Sequence, residues 1–301
     1  MSHQQRNGAG ELRISRRRFD QLVRDYQPLP FEIISETDRR RFHVPMHHAI
    51  KNRDRLSLAL RTASRYFPRI PFTIADLGTY PGSLLRLLRH LLPPETCRLV
   101  GMGLMISEDF RRAMADDSGA EILTVNLDPR NDQLRGKDYP TRIPLPDSSV
   151  EFVFALEVVE HLVSPSHLFA EAFRICRPGG HVLVTTPNVT RIGSVFKLLI
   201  GRSNFDRLIP PDYEDPNDEW RPHFREYSMA EVGDFFRRAG FQVVERRHAV
   251  AEDTHYNRKS MAQRLIDLGK LPFHAIPHLR GSLLVVGRKP ARVNPNDGRP
   301  G

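Results

Sequence analysis

Between Phe72 and Thr186, short apolar runs alternate with stretches of helical periodicity, and that rhythm admits few architectures. The runs at 72–77, 98–102, 121–127, 150–156 and 181–186 have the length of buried strands. The stretches at 84–92, 109–115 and 166–176 between them carry apolar residues at helical spacing. Pro93-Pro94 and Arg177-Pro178-Gly179-Gly180 punctuate the alternation. Strand–helix repetition predicts an α/β fold with a mostly parallel sheet, helices on both faces and right-handed crossovers. Two late strands, 241–249 and 282–288, complete the pattern. Ser228 and Glu231 form a capping-box pair at the start of a helix that Gly240 ends.

The flanks differ from this core. Residues 1–53 are polar, basic and broken by Pro28, Pro30 and Pro45, and read as a basic N-terminal extension. The domain proper is expected over 54–290, opening with a helix at 54–67 that Pro68 and Pro71 end. Residues 188–222 are rich in Pro, Asp and Asn, with a short helix at 192–200, and read as a lid-like insertion. A second insertion spans 252–279, and 291–301 reads as a disordered tail. A length of 301 residues suits one large α/β domain with extensions.

No apolar run approaches the roughly 18 residues that a membrane span needs. Met1–Gly10 is polar, so no secretory signal is expected. Cys97 and Cys176 have no metal-ligand spacing and read as two reduced thiols, which points to the cytoplasm. The net charge is +9, with arginine runs at 16–18 and 39–41. Such a surface attracts anionic partners or is simply solvated.

The stretch Ile74-Ala-Asp-Leu-Gly-Thr-Tyr-Pro-Gly82 carries the most chemical information. A strand ends at Asp76, Gly78 and Gly82 permit a tight turn, and a helix follows at once. It is neither the G-x-G-x-x-G dinucleotide fingerprint nor a phosphate loop, since no Gly-Lys-Ser/Thr follows. An acid followed by glycines two and six positions later suits a cationic, amino-acid-bearing cofactor.

This stretch resembles the first motif of the class I S-adenosylmethionine-dependent methyltransferases. Further segments match in the family's order: Ile143–Val150, Phe152–His161, Phe173–Gly180 with Val182–Asn188, then His223–Tyr227 and Ala239–Phe241. The resemblance covers about 72–250 and is similar to the ubiquinone-biosynthesis O-methyltransferase group. It implies a Rossmann-like, doubly wound sheet of seven strands, with the last antiparallel. It also implies S-adenosyl-L-methionine as cofactor, contacted at Asp76, Gly78, Thr79, Gly82, Gly103, Asp128, Leu156 and Glu157. Gly103 is a departure, because the family usually has a ribose-binding acid there.

Glu157, Glu160 and His161 form an E-x-x-E-H pattern. The resemblance implies two uses for it. Glu160, His161 and His223 could act catalytically, with His161 as general base for a hydroxyl proton. Alternatively Glu157, Glu160, His161 and His223 could hold Mg²⁺, as in the metal-using small-RNA 2′-O-methyltransferases. His47-His48 reads as surface or pocket lining, and Trp220 with Tyr213 as a cover for the acceptor. The expected activity is methyl transfer to a hydroxyl of a small metabolite, sugar or lipid-linked acceptor. RNA 2′-O-methylation with a metal, or a non-catalytic binding subunit, are the alternatives.

Overall fold

The structure is a computed structural model that describes residues 14–35, 46–68, 71–104, 106–130, 139–203, 223–250 and 261–291. Trp220, Tyr213, the arginines at 39–41, most of 188–222, the start of the second insertion and the tail from 292 lie outside the described residues.

The elements run in this order. An N-terminal helix α1 (Arg16–Asp25) precedes a small antiparallel pair, β1 (Ile33–Ser35) and β2 (Met46–His47). Helices α2 (His48–Lys51) and α3 (Arg53–Ala63) lead into β3 (Phe72–Leu77), α4 (Ser83–Leu91), β4 (Cys97–Gly103), α5 (Glu108–Ser118) and β5 (Glu121–Thr124). Then come β6 (Val150–Leu156), α6 (Pro165–Ile175), β7 (Cys176–Pro187) and α7 (Ile192–Leu199). The chain closes with α8 (Met229–Ala239), β8 (Gln242–Ala249), α9 (Met261–Lys270) and β9 (Ser282–Arg288).

The seven main strands form one sheet in the order β5-β4-β3-β6-β7-β9-β8. The pairs from β5 to β7 are all parallel, and β9 is antiparallel to both β7 and β8. This is the doubly wound, mostly parallel α/β sheet with its last strand reversed that the motif order implies. Its central strands carry few polar side chains because both faces are covered by helices. One apolar cluster joins α1, α3, α4 and α5 to one face of the sheet, and a second joins α6 and α8 to the other. The strand order reverses between β3 and β6, which sets the carboxyl ends of these two strands, and the loops that follow them, side by side. The Ser228–Glu231 capping box is present, and Gly240 caps α8 in the left-handed conformation.

The N-terminal segment is more deeply built in than its polar composition foretells. Phe19, Val23 and Tyr26 of α1 and its C-cap are buried against the core. Glu32, just beyond, is also buried, and its carboxylate accepts from the Tyr26 hydroxyl, the Ser83 hydroxyl and the Arg86 guanidinium. Arg86 is held further by Asp117, at 2.6 and 2.8 Å, and stacks over the Tyr26 ring. Ser83 is the first residue of α4, and His48 Nδ1 lies 3.1 Å from its hydroxyl oxygen. The N-terminal segment thus grips the start of α4. Removing one partner of a buried pair strands the other charge. Arg86→Met is therefore expected to cost about 3–5 kcal/mol of stability, read as a lower urea midpoint. A loss below about 1 kcal/mol would show that the network is not structural.

Candidate functional site

The site begins where β3 ends. Asp76 is paired in register with Gly101 of β4 on one side and Phe154 of β6 on the other, so its carboxyl is fully enclosed. Burial pushes it up to about 7, against a smaller downward pull from the Thr79 hydroxyl. Beyond it the amides of Gly78 and Thr79 both donate to the Met102 carbonyl, at 2.7 and 3.0 Å, and the Gly82 amide donates to Thr79. Gly78 and Gly82 have φ of +88° and +94°, a region that L side chains rarely adopt. A Cβ at Gly78 would lie 2.4 Å from Val158 Cγ2, and one at Gly82 2.5 Å from Met114 Sδ. The turn is therefore pressed directly against the loop that follows β6.

That loop carries the second half of the site. Glu157 has φ +55°, a strained value for a non-glycine residue, and its amide donates to the Thr185 carbonyl of β7. Its Oε2 accepts from Arg55 of α3 at 2.6 Å, while its Oε1 is buried without a hydrogen-bond partner. Val159–His161 then make a short 3-10 turn. Glu160 is fully buried and accepts from the Thr186 hydroxyl at 2.9 Å, with Oε1 left unpartnered. Burial, and then the charge of Glu157, push its carboxyl well above the usual range. The Glu160 carbonyl accepts from the amides of Phe224 and Arg225, which draws His223 in from beyond the first insertion. The His161 and His223 rings meet edge to face with centroids 4.8 Å apart.

Glu160, His161 and His223 offer ligand atoms that all lie within 4.8 Å of one another. These are three of the four residues expected to share a metal. The fourth, Glu157, is turned to Arg55 instead. One carboxylate plus two imidazoles is a nitrogen-rich set, whereas Mg²⁺ prefers several oxygen ligands in a near-ideal octahedron. The donor set does not fit Mg²⁺, and no step is assigned to it.

The remaining expected residues fall as follows. Leu156 ends β6 opposite Thr185, half-buried. Asp128 is buried, and its two oxygens accept from the amides of Val163 and Ser164 at 2.9 and 3.0 Å, tying β5's exit to the loop after His161. Its carboxylate therefore serves the loop. Gly103 ends β4 with an ordinary φ, and a Cβ there would touch only Ile106 at 3.6 Å. The backbone does not require glycine at that position. His47 is buried and stacks on Tyr26 at 5.4 Å, and burial brings its imidazole down to about 4. It belongs to the N-terminal grip rather than to the surface. Cys97 and Cys176 are both free, buried thiols.

Two residues escaped the sequence reading. Arg55 lies 102 positions before Glu157, and only the fold brings them together. Gly101 lets β4 pass under the turn, since a Cβ there would come within 2.7 Å of Thr79 Oγ1. Its signal was present as the first glycine of Gly101-Met102-Gly103.

The enclosed Asp76 gives a stability test. An unfolded aspartate titrates near 3.9. From about pH 4 to about pH 7 the folded chain keeps a proton that the unfolded chain has released. Stability therefore falls as pH rises through that window and levels off above it. Asp76→Asn is expected to remove this component, giving a smaller drop in Tm between pH 4.5 and 7.5 than the wild type shows. Identical drops would contradict the burial argument.

Comparison with known proteins adds the following. A family model described as a methyltransferase domain matches residues 39–246. A Mycolicibacterium smegmatis S-adenosylmethionine-dependent methyltransferase is 36% identical over 103 residues, covering 34% of this chain and 33% of that protein. The 27-O-demethylrifamycin SV methyltransferase of Amycolatopsis mediterranei is 26% identical over 224 residues, 64% of this chain and 77% of that one. The ubiquinone biosynthesis O-methyltransferase of Burkholderia thailandensis is 28% identical over 117 residues, 36% and 47% respectively. The match thus spans a third to a half of two of these three relatives. Among solved structures, a chain from the Haloferax volcanii complex of the Trm112 methyltransferase activator with a methyltransferase superposes with TM-score 0.50 at 21% identity. That match covers 79% of this chain and 91% of the other. The [4+2]-cyclase SpnF superposes with TM-score 0.50 at 15% identity, over 91% and 93%. These two likenesses show the fold alone.

Proposed function

The chain belongs to the class I S-adenosylmethionine-dependent methyltransferases, and from that premise we propose that it methylates a hydroxyl of a small metabolite, sugar or lipid-linked acceptor. The observation that carries this reading is the convergence of Glu160, His161 and His223 on the loop that abuts the Gly78 turn.

The residues of the turn fit the cofactor. Asp76 is a buried carboxyl with no cationic partner among the described residues, and a cationic group placed there would favour its ionised form. Glu157 Oε1 is a further buried acceptor without a partner. Gly78 and Gly82 give the turn its left-handed backbone and let it pack closely on Val158 and Met114. When bound, the cofactor supplies an already activated sulfonium methyl group.

What remains for the protein is positioning and proton removal. The Asp76–Gly82 turn would hold the cofactor's amino-acid end, and Arg55 fixes Glu157. His161 would take the proton of the acceptor hydroxyl. Glu160 is anchored by Thr186 and, through its carbonyl, keeps the His223 segment against His161. His223 lines the acceptor side.

The test uses the purified chain, labelled S-adenosylmethionine and a panel of phenols, sugars and carboxylic acids. Label in alkali-stable ether linkage on hydroxyl acceptors is expected. Label found only as alkali-labile ester would overturn the hydroxyl assignment.

A further inference from the structure

The turn that follows β3 has two flanks. On one it meets the loop after β6, since a Cβ at Gly78 would strike Val158. On the other it meets α5, since a Cβ at Gly82 would strike Met114 and close on Phe110. β3 lies between β6 and β4 in the sheet, so each flank belongs to one neighbouring strand and the segment that follows it. Glu157 and His161 stand on the β6 flank, and His223 meets His161 there. A sulfonium carries three substituents. With the methyl group toward His161 and the amino-acid arm at Asp76 and Glu157, the nucleoside arm is left with the flank formed by β4 and α5.

Tyr80 stands on that second flank. It follows Thr79, whose amide is bound to the Met102 carbonyl near the end of β4. Its ring packs on Phe110 of α5, with centroids 5.2 Å and planes 56° apart. Phe110 is buried and is backed in turn by Phe31, edge to face at 5.5 Å. The Tyr80 ring is thus supported from behind, yet it is 54% exposed, while Thr79 before it and Pro81 after it are buried. Such a ring offers a large, rigid apolar face that a flat ligand can cover.

The same flank has little with which to grip a ribose diol. Gly103 ends β4 without a side chain, and a Cβ there would meet only Ile106. The acids that open α5 are engaged along their own helix, Glu108 with Arg111 and Asp109 with Arg112. Beside the bare end of β4, the groups on offer are the Tyr80 ring and the Ile106 side chain.

We propose that the Tyr80 ring carries the nucleoside half of the methyl donor by aromatic packing, and that the site makes little use of the ribose hydroxyls. This assignment rests on the reading that the Asp76–Gly82 turn holds that donor.

The test is calorimetry of the full chain with S-adenosylhomocysteine, its 2′-deoxy and 3′-deoxy analogues, and 5′-methylthioadenosine, which lacks the amino-acid arm. The wild type is expected to bind S-adenosylhomocysteine and both deoxy analogues within about threefold of one another, whereas a site built to hydrogen-bond a hydroxyl rejects the analogue that lacks it by orders of magnitude. Tyr80→Ala is expected to weaken S-adenosylhomocysteine and methylthioadenosine alike by about tenfold or more, the scale on which a base loses its aromatic platform. Tyr80→Phe keeps the ring and should stay within about threefold of the wild type. An unchanged Tm in both variants checks the fold, and the deoxy analogues probe the wild type itself. A loss of more than about tenfold on removing either hydroxyl from the ligand, or Tyr80→Ala binding as tightly as the wild type, would overturn the proposal. If Asp76→Ala abolishes binding in that same series, the turn still holds the donor and only the role of Tyr80 falls. Absence of any S-adenosylhomocysteine binding to the wild type would overturn both.

Discussion

Asp76→Ala is expected to weaken binding of S-adenosylhomocysteine on the order of 100-fold or more, to the limit of calorimetric detection. The expectation rests on where the carboxyl sits. It is enclosed between β4 and β6, is held up to about 7 by burial, and has no cationic partner among the described residues. A charge-assisted hydrogen bond contributes roughly 1.5–3 kcal/mol, and more than that in an enclosed site where water cannot substitute. The folded chain loses no structural contact of comparable size with this substitution, so lost binding should not be accompanied by lost folding. Asp76→Asn keeps the shape and removes the charge, which separates the two contributions. If Asp76→Ala binds as tightly as the wild type, the cofactor turn is elsewhere.

His161→Ala is expected to lower kcat by about 10²–10⁴-fold, the usual range for loss of a positioned base, with affinity for S-adenosylhomocysteine nearly unchanged. The imidazole stands beside His223 and close to the buried Glu160, outside the Asp76–Gly82 turn. The effect should therefore fall on turnover and not on cofactor binding. A variant that kept more than half of the wild-type rate would show that proximity alone carries the reaction and that His161 only lines the pocket.

The sheet was legible because its signals are local. Strand length, apolar content and the turn at 78–82 each act within a few residues, and every central strand overlaps the run read for it, although β7 already begins at Cys176 and takes in the turn expected at 177–180. The order of motifs then implied the reversal of the last strand, which β9 bears out. What the sequence hid was pairing over distance. Glu32 sits in a proline-broken polar stretch, and nothing local says that it will be buried against Arg86. The same holds for Arg55, whose capture of Glu157 divides the E-x-x-E-H pattern into an ion pair and a Glu160–His161–His223 group. The resemblance had offered all four residues to one metal. Asp128 was placed correctly after the third strand of the main sheet, yet its carboxylate is used by the Val163 and Ser164 amides, a contact across 35 positions that no local rule foresees.

Gly103 stands where the resemblance implies a ribose-binding acid. The backbone there would accept a side chain, so the absence of an acid is a property of the sequence and not a demand of the fold. Affinity for the ribose end must then come from other groups, which puts more weight on the Asp76 turn and Glu157.

The account's central claim is that the Asp76–Gly82 turn and the neighbouring Glu157–His161 loop hold the methyl donor. A crystal structure with S-adenosylhomocysteine tests it most directly. The ligand is predicted to contact the turn and Glu157, with its sulfur facing the side on which His161 and His223 meet. Ligand bound at any other place, or no bound ligand at saturating concentration, would contradict the claim.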